Sequence, residues 1–347
     1  MVRKLLWASL LLGPLVIVLD YAGAIGDVGA FTLSALALVP LAWLIGESTE
    51  HAAHHTGPGV GGFLNATFGN APELIIALIA VNDGLPDVVR GSLTGSIVGN
   101  LLLVLGFSLA LGGRGPVDRT STFTSIALVA LATTLLLIPS VPSWTGDPDP
   151  HTVEVVSLVV SILLFAVYIA VTWRALSRHR QMHVAEDPAE MAGWSFRHSL
   201  AVLAGATVVT AFVAEVLVGS LETFADAAGL SDFFVAAVIV AIVGNAAEHG
   251  GAVVIARRGN IKLAAEIALA SSAQVAVFLI PAVAILSWAI DPLALSFRPV
   301  ELGVLAAATA LTAILLADGW SSRRKGTILI VAYGLAALAF YVAGDRG

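Results

Sequence analysis

Two glutamates stand where ionised side chains are expensive. Glu73 and Glu248 each lie well inside a long apolar run, at the ends of the pentapeptides GNAPE (Gly69 to Glu73) and GNAAE (Gly244 to Glu248). An isolated carboxylate at mid-bilayer depth costs about 3 kcal/mol on insertion scales, so it must face a cavity, a partner or a cation. Beside each acid stands an asparagine, Asn70 or Asn245, whose amide oxygen is a hard, neutral ligand. Gly69 and Gly244 weaken a helix, and Pro72 removes a backbone donor and crowds the preceding turn. Helix breaks are therefore expected at both places. A break frees carbonyls, which are tolerated at this depth only where they line a cavity or coordinate an ion. Two carboxylates, two amides and freed carbonyls form an oxygen-only set of the kind Ca²⁺ takes with about six to eight ligands. Softer metals would prefer Cys, Met or His.

The elements that carry these residues are membrane-spanning helices. The chain of 347 residues is 58% hydrophobic and 12% charged, with a mean hydropathy of +0.94. A soluble domain of this length needs far more charge to cover its surface. The net charge of -7 argues against a nucleic-acid partner, and the absence of Cys excludes disulfides, thiolate metal sites and cysteine nucleophiles. About eleven apolar runs reach spanning length, at 4–24, 28–46, 62–83, 88–112, 121–142, 151–176, 197–221, 231–257, 262–290, 298–318 and 325–344. They are continuous in Leu, Ala, Val and Ile, without the alternation of a transmembrane barrel, so an all-α integral membrane protein is predicted. Arg3-Lys4, an apolar stretch and Ala22-Gly23-Ala24 also resemble a cleavable signal, but the run from Leu5 to Leu19 is long for one and is read as a helix.

The two pentapeptides are 175 residues apart, and the same offset lays Ala66 on Ala241, Ala77 on Ala252 and Ser96 on Ser271. This implies an extra first helix (1–26), a five-helix half (27–176), a polar linker (177–196) and a second five-helix half (197–347). Because five is odd, the halves insert in opposite orientations, the inverted-repeat plan of many secondary transporters. The span after each pentapeptide adds polar groups: Ser96 and Asn100 in one half, Ser271, Ser272 and Gln274 in the other. With the N-terminus in the cytoplasm and the C-terminus outside, all Lys and Arg except Arg90, Arg298 and Arg346 fall on the cytoplasmic side.

The segments GGFLNATFGNAPELIIALIAV (Gly61 to Val81) and GNAAEHGGAVVIARRGN (Gly244 to Asn260) resemble the paired signature repeats of the calcium/proton exchanger family, in the calcium/cation antiporter superfamily. The likeness extends through SIVGNLLLVLG (Ser96 to Gly106) and SSAQVAVFLIP (Ser271 to Pro281) and covers essentially the whole chain. It implies that Glu73 and Glu248 carry cation and proton, supported by Asn70, Asn245, Ser96, Asn100, Ser271 and Gln274. Gly99 departs from the family, which commonly has Ser there, and the linker is only modestly acidic.

A transporter rather than an enzyme is thus expected, with Ca²⁺ and H⁺ as substrates, no cofactor, and a multi-pass position in a prokaryotic plasma membrane. Ca²⁺ and protons compete for the carboxylate pair, and the doubly charged empty pair is penalised. Glu50 and Glu215, on the helices preceding the signatures, are candidate gating or relay acids, and His249 is a candidate to tune Glu248. Competing readings are a sodium/calcium exchanger on the same plan, a passive channel, and an intramembrane hydrolase using His51, His54 and His55, which lack the HExxH order.

Overall fold

A computed structural model of the protein describes residues 2–179 and 193–345, the side chains of 2–4, 57–63, 65–66, 175–179 and 247–249 excepted. Most of the expected linker, 177–196, lies outside the described residues. Helix dominates because backbone groups at membrane depth must be satisfied within their own segment. In chain order the helices are α1 (Leu5–Tyr21), α2 (Asp27–Phe68), α3 (Ala71–Asn82), α4 (Pro86–Gly112), α5 (Arg119–Ser140), α6 (Pro150–His179) and α7 (Phe196–Gly219). They continue with α8 (Leu221–Ala228), α9 (Asp232–Gly244), α10 (Ala246–Arg257), α11 (Ile261–Ser287), α12 (Pro299–Leu316) and α13 (Arg323–Ala343). Among the described residues eight helices are long and apolar enough to cross a membrane alone, and α8 with α9, bent by 108°, makes a ninth candidate. The protein is a multi-pass, all-helical membrane protein.

Two of the expected spans, 62–83 and 231–257, are interrupted at Gly69-Asn70 and at Asn245, where the sequence predicts breaks. Elsewhere the sequence predicts a connection over 47–61, whereas α2 runs unbroken from Asp27 to Phe68. The hydroxyls of Ser48 and Thr49 bond back to the carbonyls of Leu44 and Ile45, so these residues continue the helix past its apolar run.

Burial separates the helices into two layers. In α4 and α11, 72% and 78% of the apolar stretch is buried, against 22% to 39% in α5, α6, α7, α12 and α13. The first pair is central, and the others face lipid. The central elements repeat with the sequence: α3 and α10 share both ends at the 175-residue offset, as do α4 and α11. Each central helix also widens into a π segment at matching positions, Gly99–Val104 in α4 and Val275–Leu279 in α11. Such bulges reorient side chains and leave carbonyls out of register. One of these, that of Leu101, receives the Thr312 hydroxyl of α12 at 3.5 Å.

Two of the basic residues that break the charge rule are structural pins. Arg90 is buried, pairs with Asp87 at 2.7 Å and donates to the Ala294 carbonyl at 2.9 Å. Arg298 lies 3.7 Å over the Phe233 ring and pairs with Glu301 at 3.2 Å. The stretch held by Arg90, between α11 and α12, is non-helical, and its amides are satisfied by serines of neighbouring helices: Leu295 donates to Ser157, and Phe297 to Ser140. These two bonds satisfy backbone donors of an irregular segment that is buried.

Packing of α4 against α9 depends on glycine. A Cβ on Gly95 would overlap the Ala237 carbonyl oxygen, and one on Gly91 would lie 3.1 Å from that of Phe233. A Cβ on Gly205 of α7 would meet nothing. Gly95→Ala is therefore expected to lower stability by about 1 to 3 kcal/mol through overpacking, whereas Gly205→Ala leaves it equal or higher. Thermal melts of the two purified variants check this; equal melting temperatures would show that the crossing is loose.

Candidate cation site

The site is built on two helix breaks. Asn70 and Asn245 occupy the bridge region of backbone space, with φ/ψ of -97°/13° and -88°/5°, and each starts a twelve-residue helix. Pro72 falls in the first turn of α3, where helix amides have no intrahelical acceptor in any case. It therefore helps start the new helix, and the break belongs to the Gly-Asn step before it. Glu73 and Glu248 occupy the third position of α3 and α10, the electropositive end of a helix.

Asparagine at the cap position ordinarily bonds the amides of its own first turn. Neither Asn70 nor Asn245 does so. Their side chains reach into the other half instead: Asn70 Nδ2 donates to Gln274 Oε1 at 3.3 Å, and Asn245 Nδ2 donates to Ser96 Oγ at 2.8 Å. Asn245 Nδ2 also donates to the Ala241 carbonyl at 2.9 Å, which fixes which end of that amide is nitrogen. Its Oδ1 then accepts from Asn100 Nδ2 at 3.4 Å, and Asn100 Nδ2 donates as well to Ser271 Oγ at 3.0 Å. Along this chain of donors the Asn100 oxygen is left over. It is fully buried, accepts no hydrogen bond among the described residues, and is a ready ligand for a hard cation.

Glu73 is 9% exposed and leans across the same seam: a Cβ placed on Gly244 would lie 3.3 Å from its Cγ and 3.4 Å from its Oε1. The carboxylate of one break thus packs on the backbone of the other. Gly244 serves this close approach as well as the break.

The structure brings together Asn70, Glu73, Ser96, Asn100, Asn245, Ser271 and Gln274. Glu248 and His249 fall in α10, and their side chains lie outside the described residues. Ser272 bonds its own helix at the Ala268 carbonyl. Glu50 and Glu215 are exposed on α2 and α7. Of the histidines, His51 stacks on Trp194 with Nε2 3.8 Å from Glu47, and His55 Nε2 lies 2.9 Å from the Trp194 carbonyl. No three His, Asp or Glu side chains converge on a metal position among the described residues, so the histidine hydrolase reading lacks its site. Two contributors gave no signal in the sequence: the Ala241 carbonyl that orients Asn245, and Thr312 behind the π segment.

Outside the membrane, the loop acids near the basic ends of α11 and α13 are already engaged. The Ser121 amide, and then Lys262, hold the Asp118 carboxyl below its ordinary range. Lys325, followed by the Trp320 amide, does the same for Asp318.

Symmetric broken helices meeting at a buried, oxygen-rich centre define a secondary transporter. The chain belongs to the family described as sodium/calcium exchanger protein, whose model matches residues 27–176 and 198–342. It is 36% identical to the Ca(2+)/H(+) antiporter of Synechocystis sp. over 91% of each chain. It is also 36% identical to vacuolar cation/proton exchanger 1 of Arabidopsis thaliana, over 95% of this chain and 76% of the relative. Its fold matches that of the Ca2+/H+ antiporter protein YfkE with a TM-score of 0.83 and 30% identity, covering 98% of this chain and 99% of that one.

Gly99 holds the position in α4 that Gln274 holds in α11, and a Cβ there would meet open space. Gly99→Ser is expected to keep the wild-type melting temperature while adding an oxygen at the position equivalent to Gln274, the partner of Asn70 in the other half. One extra neutral contact of about 1 kcal/mol would tighten divalent-cation binding roughly fivefold. Calorimetric titration of the purified variant checks this, and unchanged affinity would place Gly99 outside the site.

Proposed function

We propose that the protein is a secondary antiporter that exchanges cytosolic Ca²⁺ for external H⁺ by alternating access. The supporting observation is the packing of Glu73 on the Gly244 break, which places a buried acid of one half on the seam of the other. The names of its relatives, among them Ca(2+)/H(+) antiporter and Vacuolar cation/proton exchanger, agree with this reading.

In this mechanism Glu73 and Glu248 form a pair related by the pseudo-symmetry of 27–176 and 197–347. The empty pair is doubly charged and dehydrated, so it does not persist. Two protons neutralise it, or one Ca²⁺ does, with the Asn100 oxygen and the amides of Asn70 and Asn245 completing the shell. Both filled forms are electrically compensated and can change their side of access, whereas the empty form is held back, which couples the two fluxes. Asn245, Ser96, Asn100 and Ser271 bridge the halves, and their hydrogen bonds must rearrange when the seam opens. In this reading Glu50 and Glu215, exposed on α2 and α7, collect cations or relay protons, and His249 tunes Glu248. The distribution of Lys and Arg supports a cytoplasmic N-terminus and an outside C-terminus, and the short loops support a prokaryotic plasma membrane.

Proteoliposomes with an imposed pH gradient test the proposal. Ca²⁺ uptake is expected to follow the pH gradient, to collapse with a protonophore and to ignore a sodium gradient. Glu73→Gln and Glu248→Gln each should reduce it by at least about 100-fold, since a removed buried charge cannot be replaced by solvent. Uptake driven by sodium would give the sodium/calcium reading, linear non-saturating flux the channel reading, and normal exchange in either variant would remove the carboxylate pair from the mechanism.

A further inference from the structure

An apolar groove runs between α12 and α13 on the outer layer of the protein. Its deeper part, about 250 Å³, is walled by Val304, Ala308 and Leu311 of α12 and by Ala332 and Ala336 of α13, with Leu102 of α4 as its floor. Through Leu311, Ala332 and Leu335 it continues into a wider part of about 690 Å³ that ends at Arg323 and Arg324. From Arg323 to Ala339 the groove follows α13 for about 24 Å at 1.5 Å per residue, longer than the roughly 15 Å of hydrocarbon in one leaflet. Its rim is lipid-exposed, with Ile314, Val331 and Leu335 at 72%, 58% and 63%.

The charges at its mouth are unbalanced. Arg323 and Arg324 are exposed, and neither guanidinium forms an ion pair among the described residues. The cations beside them are already occupied: Lys325 binds both carboxylate oxygens of Asp318 at 2.6 Å, and Arg114 lies 5.7 Å over the Trp320 ring. Lys325 also keeps the Asp318 carboxyl below its ordinary range, so that acid is committed elsewhere. Trp320 is 48% exposed on the loop just before α13, as expected of an aromatic at the membrane–water boundary. Two guanidiniums with no ion pair among the described residues, at headgroup depth over an apolar slot as deep as a leaflet, match one chemistry: an anion joined to an acyl chain.

We propose that this groove binds an anionic phospholipid from the leaflet at the basic end of the protein, its phosphate between Arg323 and Arg324 and one acyl chain lying along α13 to Leu102. A second copy of the chain on the same face in a twofold contact would bring two such arginine pairs together without acids. A zwitterionic lipid would leave both guanidiniums without a net counter-charge. The chain's end point gives the site a consequence. Leu102 belongs to the π segment that carries Asn100, and Thr312, next to the groove residue Leu311, holds that segment's Leu101 carbonyl. A lipid chain in the groove therefore braces the backbone that presents the free Asn100 oxygen. The inference rests on the membrane fold and not on which ions are exchanged.

Thermal melts and native mass spectrometry of the detergent-purified protein test it, with phosphatidylglycerol, phosphatidylcholine and inorganic phosphate added in turn. Phosphatidylglycerol is expected to raise the melting temperature by about 2 to 4 °C and to remain as a one-to-one adduct, while the other two additions do neither. R323Q/R324Q and A332F should each abolish the shift, and R257Q/R258Q, which removes two exposed charges at the C-terminal end of α10, should keep it. If A332F does not fold, the arginine variants decide. An equal shift with phosphatidylcholine or phosphate, a shift retained in R323Q/R324Q, an equal loss in R257Q/R258Q, or an A332F that loses an oligomer and not a lipid would each overturn the proposal.

Discussion

At mid-bilayer depth no water is available to satisfy a polar group, and the rest of the structure follows from that constraint. Backbone amides accept it by forming helices. At the two breaks, Asn70 and Asn245, it is the side chains that find partners across the seam between the halves. The asparagines give up the usual capping role, and their amides bond Gln274 and Ser96 of the opposite half. A helix break here is also a joint, because its asparagine side chain is bonded to the other half.

The same constraint accounts for the packing around the centre. Helices bring their polar groups within hydrogen-bond reach only if their backbones approach closely, and Gly95 and Gly244 permit that approach on α4 and at the second break. The π segments at matching positions of α4 and α11 rotate the side chains of the most buried helices at the level of the site. Asn100 lies in one of them, and its oxygen accepts no hydrogen bond among the described residues. Such an oxygen is tolerable only where a cation or a proton-bearing group shares the space.

Much of this was legible in the sequence, for identifiable reasons. Acids inside apolar runs announce themselves by their cost, and a Gly-Asn step before Glu at a fixed offset marks both the breaks and the symmetry. The 175-residue spacing also relates both ends of α3 to those of α10. The π segments were not legible, since Val275–Leu279 is an ordinary apolar stretch and the extra residue per turn is imposed by packing. Nor was the continuation of α2 through Glu47 and Glu50, where polarity suggests a loop but the Ser48 and Thr49 hydroxyls are satisfied by their own helix. Arg90 and Arg298 looked like exceptions to a charge rule. Only their distances to Asp87, Ala294, Phe233 and Glu301 show that they hold the fold together.

The central claim is that one buried acidic seam holds either hydrogen ions or a divalent cation. Isothermal calorimetry of Ca²⁺ binding, run at one near-neutral pH in buffers of different ionisation enthalpy, counts the protons released per ion bound. The expected result is a release of at least one proton by the wild-type protein and a clear reduction in Glu73→Gln. Binding of Ca²⁺ with no proton release, or with the same release in the variant, would contradict the account.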